Sequence, residues 1–153
     1  MEISLVEAVA VHISKVQFRT EYIELPYVEI PVHAGFPSPA DDYIESRLDL
    51  LEHLIHHPSS TYYIKVSGDS MMDYGIFDGD LLIVDRSLEP RQGDIVIAAL
   101  DGELTCKSLA IEHDIPYLKS GNPNYPPIRI TNKEIYIWGV IIHTIHSFRT
   151  HHK

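Results

Sequence analysis

Apolar positions change rhythm several times along this chain of 153 residues. Up to Val16 they suit no single period: Leu5, Val6, Val9, Ile13 and Val16 fit a helix as readily as a strand. From Phe18 the pattern turns extended. Pro26 and Pro31 hold the residues before them, Leu25 and Ile30, out of helical backbone space. Alternation runs through Ile23, Leu25 and Tyr27 and resumes in the other phase through Val28, Ile30 and Val32, which predicts a bulge or bend near Tyr27. Residues 1–38 therefore read as an extended arm lying against something, not as a domain of their own. The arm ends in His33-Ala34-Gly35-Phe36-Pro37-Ser38, a small residue and a glycine able to enter a tight groove. On local sequence alone a plain hinge explains that segment better.

Helical spacing comes next. Ser38 as N-cap, Pro39 in the first turn, and Asp41 and Asp42 facing the positive end of the dipole predict a helix. Ile44, Leu48, Leu51 and Ile55 form its buried stripe, and Pro58 stops it. His53 and His57 could share a face and bind a metal. No third ligand of suitable spacing lies nearby, so His53, His56 and His57 read as solvated side chains near the helix C-terminus, with no metal site.

From Thr61 onward the pattern is that of strands. Tyr62, Ile64 and Val66 alternate with Tyr63 and Lys65 and deliver the chain into Gly68-Asp69-Ser70. A double turn over 73–80 leads to a short apolar strand, Leu81 to Val84. Residues 94–100 and 103–107 flank Asp101-Gly102, the strongest hairpin signal in the chain. Leu104 and Cys106 then share one face, with Thr105 and Lys107 on the other, so Lys107 occupies a strand that can aim its side chain reproducibly. Further runs cover 115–118, 128–130 and 135–145, the last with a bend or bulge at Gly139. Strands with short turns and one helix predict a mainly β architecture.

Composition narrows the partners. The formal net charge is −10, from 12 Lys plus Arg against 22 Asp plus Glu, which disfavours direct binding to nucleic acid. Cys106 is the sole cysteine, so no internal disulfide can form, in keeping with a reducing cytoplasm. An acidic start and the lack of a long apolar run predict no signal peptide and no membrane span.

A serine after a strand, with Gly68 beside it and amides from a following turn as oxyanion donors, could be a nucleophile. It could equally be a helix cap, and alone the motif is weak. Longer stretches decide the matter. Gly35-Phe36-Pro37-Ser38-Pro39-Ala40, Ser67-Gly68-Asp69-Ser70-Met71, residues 78–85 and residues 93–99 resemble the self-cleaving Ser-Lys peptidases of the LexA and UmuD type, over nearly all of 33–147. The UmuD branch is the more similar. The arm before the cut is longer here, and Ala34 stands where UmuD carries a cysteine.

The resemblance implies a LexA/signal-peptidase-like β-rich domain with one short helix and an extended N-terminal arm. It implies Ser70 as nucleophile, Lys107 as general base and Ala34-Gly35 as the scissile bond, dividing an arm, 1–34, from a domain, 35–153, with no cofactor. A lysine at its reference pKa is neutral only about once in two thousand molecules at pH 7, so a lysine base must be shielded from water. The implied role is in the SOS response to DNA damage: a cytoplasmic homodimer that cuts itself when stimulated by a RecA filament on single-stranded DNA. The product would then serve as accessory subunit to an error-prone Y-family translesion polymerase. A LexA-like repressor needs a DNA-binding module that residues 1–34, with two prolines, are not expected to supply. A signal-peptidase-like enzyme would call for a membrane anchor. A non-catalytic interaction module with an idle Ser-Lys pair is the remaining alternative.

Overall fold

A computed structural model of the chain describes residues 10–15, 24–28, 35, 45–131 and 135–149, with the backbone alone given for 10–15, 28 and 45. These residues fall into two compact units, one within 17–56 and one holding 10–15 and the chain from His57 onward.

In the smaller unit β2 (Glu24–Val28) pairs antiparallel with β3 (Glu45–Asp49), from Glu24 opposite Asp49 to Val28 opposite Glu45. The register is unbroken, so the bend expected near Tyr27 does not occur within the strand. Leu25 and Tyr27 are both exposed, and their alternation does not mark a buried face. Pro26 is tolerated because in a two-stranded ribbon each strand is an edge.

The expected helix is also much shorter. Leu48 lies in β3, and α1 spans only Leu50–Leu54. Its N-cap is Asp49, whose Oδ1 accepts from the amides of Leu51 at 3.1 Å and Glu52 at 3.3 Å. Pairing with β2 recruits 45–49 into a strand, so only the last turn of the apolar stripe remains helical. The cap expected at Ser38 lies outside the described residues.

The larger unit is one eight-stranded antiparallel sheet. Its order is β1 (Ala10–Lys15), β4 (Thr61–Val66), β5 (Leu81–Asp85), β10 (Ile135–Ile145), β6 (Ile95–Leu100), β7 (Glu103–Glu112), β8 (Ile115–Lys119) and β9 (Ile128–Arg129). Part of the arm thus joins the sheet, as β1 alongside β4. The β6–β7 hairpin turns through Asp101 and Gly102 at φ 50° and 83°, both left-handed as a two-residue mirror-image turn requires. His113 and Asp114 make a second such turn, between β7 and β8, at φ 50° and 65°.

The expected irregularity at Gly139 is present: the β10–β6 register shifts between Ile137 and Gly139. A Cβ there would stand 2.6 Å from Val84 Cγ1 and 3.2 Å from Arg86 Cγ, which explains why no side chain is carried.

The central strands are covered on both faces. Ile97 and Ala99 pack with Ile64, Leu82, Val84 and Cys106 on one side. Val96 and Ala98 pack with Leu109, Leu118 and Val140 on the other. Most of β7 is buried along its length, so a polar residue on either of its faces is withdrawn from water.

Candidate active site

Strand β4 ends at Val66, and the chain re-enters the sheet at β5 after the loop 67–80. Backbone bonds close the neck of this loop: the Val66 amide donates to the Asp80 carbonyl at 2.9 Å, and the Gly79 amide to the Val66 carbonyl at 2.8 Å. The Gly68 amide donates to Asp78 Oδ1 at 2.9 Å, with Gly68 at a left-handed φ of 101°. Asp80 Oδ2 accepts from the Phe77 amide at 2.9 Å. Asp78 and Asp80 therefore shape the loop, a role that their turn-like sequence did not announce.

Ser70 lies inside this loop, 8% exposed, just before a 3-10 turn over Met72–Tyr74. The Met72 amide is taken by the Asp69 carbonyl at 3.3 Å and so is not an oxyanion donor in this geometry. A small recess beside Ser70 is lined by Val66, Ser67, Gly68, Met71, Ile76 and Cys106. Burial pushes the Cys106 thiol up to about 12, with the Lys107 charge opposing, so it remains a protonated core thiol.

Lys107 lies on β7 opposite Val96, facing away from Cys106 as alternation predicts. At 2% exposed it is the largest fully buried side chain among those described, so the expected shielding is present. Its Nζ stands 5.4 Å from the centre of the Tyr125 ring. Thr105, on the same face, buries an Oγ1 that finds no hydrogen-bond partner among the described residues.

The segment between β8 and β9 approaches both residues. Ser120 Oγ donates to the Ser70 carbonyl at 2.6 Å, and the Asp73 amide donates to the Gly121 carbonyl at 3.2 Å. A Cβ on Gly121 would lie 3.0 Å from Met71 Cα and 2.7 Å from Tyr74 Cδ2. Only glycine allows this approach. Nothing local in the sequence singles out Ser120, Gly121 or Tyr125, because what they touch is brought to them only by folding.

Gly35 is exposed and belongs to the smaller unit, while Ala34 lies outside the described residues. His53 and His56 are exposed as expected. His57 differs: although half-exposed, its Nδ1 sits 2.6 Å from Oδ2 of buried Asp85. Ser87 binds the other oxygen of Asp85 through its amide at 2.8 Å and its hydroxyl at 2.6 Å. No grouping of three or more His, Cys, Asp or Glu suited to a metal occurs among the described residues. Nor, among them, is any helix long and apolar enough to cross a membrane.

The family model for Peptidase S24-like proteins matches residues 26–142. The chain belongs to that family. It is 45% identical over 117 residues to Protein SamA of Salmonella typhimurium, covering 76% of this chain and 81% of that one. It is 42% identical over 123 residues to Protein MucA of Escherichia coli, covering 79% and 84%. The LexA repressor of Colwellia psychrerythraea is 36% identical over 120 residues, 77% of this chain and 56% of that one. The UmuD-like character expected from the motifs is borne out by these relatives.

Proposed function

We propose that this protein is a UmuD-like self-cleaving serine peptidase of the SOS response, cutting its own Ala34-Gly35 bond with Ser70 as nucleophile and Lys107 as base. What supports the reading is that a buried serine and a buried lysine each lie against one segment, Ser120 to Tyr125, in a chain of the Peptidase S24-like family.

The steps need only these groups. The neutral Lys107 amine takes the proton of the Ser70 hydroxyl, and Oγ attacks the Ala34 carbonyl carbon. The tetrahedral intermediate collapses as the ammonium returns a proton to the Gly35 nitrogen. Residues 35–153 leave with a free amino terminus, and Ala34 remains as an ester on Ser70. Water, deprotonated by the same amine, hydrolyses that ester and frees residues 1–34. Gly35, without a side chain, lets the backbone bend into a narrow cleft. Cutting removes the arm once, so the chemistry serves as a switch.

The arm and the domain are thus the two products. The processed domain would act as accessory subunit to an error-prone Y-family polymerase, as a cytoplasmic homodimer stimulated beforehand by a RecA filament on single-stranded DNA. The net charge of −10 supports contact with DNA through such partners and not directly. Incubation of the purified chain at alkaline pH, read by intact mass, tests the chemistry. The parent should yield a product starting at Gly35, faster as pH rises, because a lysine base works only when neutral. Ser70→Ala and Lys107→Ala should yield none. A cut in either variant refutes the assignment, and no cut in the parent favours a non-catalytic interaction module.

A further inference from the structure

The C-terminal segment beyond β10 reaches the loop that carries Ser70. His146 Nδ1 lies 2.5 Å from Oδ1 of Asp80, whose side chain is 1% exposed. A carboxylate only accepts, so the hydrogen sits on Nδ1. The other oxygen, Oδ2, accepts from the Phe77 amide at 2.9 Å and from Thr144 Oγ1 at 3.2 Å. The His146 ring also packs against Phe77, with centroids 5.2 Å apart, and against Phe148 at 5.3 Å.

Asp80 is therefore held from two directions. From the loop side it orders Phe77, and its backbone carbonyl takes the Val66 amide at the loop neck. From the other side it is held by His146, just beyond β10, and by Thr144 within that strand. The neck bonds and the Gly68 to Asp78 bond set where the chain turns toward Ser70. A buried carboxylate that loses a donor must find another, and the nearest way is to open the turn toward water.

We propose that His146 is a positioning residue, a latch through which the C-terminal segment holds the nucleophile loop 67–80 in its working shape. Its bearing on catalysis rests on the self-cleavage reading; its effect on the loop does not. His146 is partly exposed and lies beyond β10, so replacing it removes no strand pairing.

Amide hydrogen exchange in a Ser70→Ala background tests the latch without cleavage. His146→Leu should speed exchange across 67–80 by about tenfold or more, the loss of one charge-assisted hydrogen bond, while β6 and β7 keep their protection. His146→Asn places an amide donor where Nδ1 stood and should exchange like the parent. Unchanged exchange in His146→Leu, a uniform rise over the whole domain, or an equal rise in His146→Asn would each overturn the latch. With Ser70 restored, His146→Leu should cut itself about tenfold more slowly than His146→Asn. Equal rates for the two would confine the latch to loop order and remove its role in catalysis. A parent chain that never cuts itself would sink the peptidase reading alone, and exchange would still judge the latch.

Discussion

Replacing Gly121 by alanine adds one carbon at the tightest approach near Ser70. That carbon would stand 3.0 Å from Met71 Cα, 3.1 Å from its carbonyl carbon and 2.7 Å from Tyr74 Cδ2, where ordinary contacts begin at 3.4 Å. Tyr74 is 41% exposed and can swing aside, but the Met71 backbone can yield only by shifting the residue bonded to Ser70. Overpacking of this kind costs about 1–3 kcal/mol, or roughly 2–12 °C in melting temperature for a chain of this size. A misplacement of about 1 Å in a reacting group can cost on the order of a hundredfold in rate, so a few tenths should slow self-cleavage by about tenfold. The assay is the first-order appearance of the product beginning at Gly35, alongside thermal unfolding of the same variant in a Ser70→Ala background. Adding Tyr74→Ala removes the softest clash and should recover part of the melting temperature but little of the rate. Parental rate and melting temperature in Gly121→Ala would refute the close approach. Full recovery of rate by Tyr74→Ala would show that the Met71 backbone contact is immaterial.

Other outcomes follow from different parts of the chain. Gly35→Glu should leave the melting temperature unchanged, since Gly35 is exposed, yet reduce cleavage by about a hundredfold or more, judged by intact mass; unchanged cleavage would move the scissile bond elsewhere. Burial alone would raise the Asp85 carboxyl, but the hydrogen bonds from Ser87 and His57 outweigh it and hold it below its ordinary value of 3.8. The folded state therefore binds fewer protons than the unfolded one, and Asp85 stabilises above 3.8 and loses that effect as pH falls through its lowered value. Asp85→Asn should cost about 2 kcal/mol in urea unfolding at neutral pH and much less in strong acid, so a pH-independent difference would contradict the sign. Cys106, pushed up from 9.0 to about 12, should resist iodoacetamide at pH 8 by roughly a thousandfold relative to the urea-unfolded chain, and rapid native labelling would contradict its burial.

Sequence alone determined the features that depend on neighbours along the chain. The Asp101-Gly102 turn was legible because left-handed backbone at both positions demands those residue types, and the opposed faces of Cys106 and Lys107 follow from strand alternation. The Gly139 bulge and the long last strand were legible for the same local reasons. Ser70 and Lys107 emerged as candidates because whole runs of residues around them match a peptidase family, not because a serine after glycine is telling. Other features were decided only in three dimensions. The stripe expected as a long helix is partly a strand, because pairing with Glu24–Val28 outweighs helical spacing over five residues. The burial of Lys107 depends on cover from both sides of β7, which no local pattern states. Ser120 at the Ser70 carbonyl, Gly121 against Met71 and His146 on Asp80 join segments far apart in the chain. Hydrogen bonds and close contacts of that kind have no sequence period, since their partners meet only when the sheet has assembled.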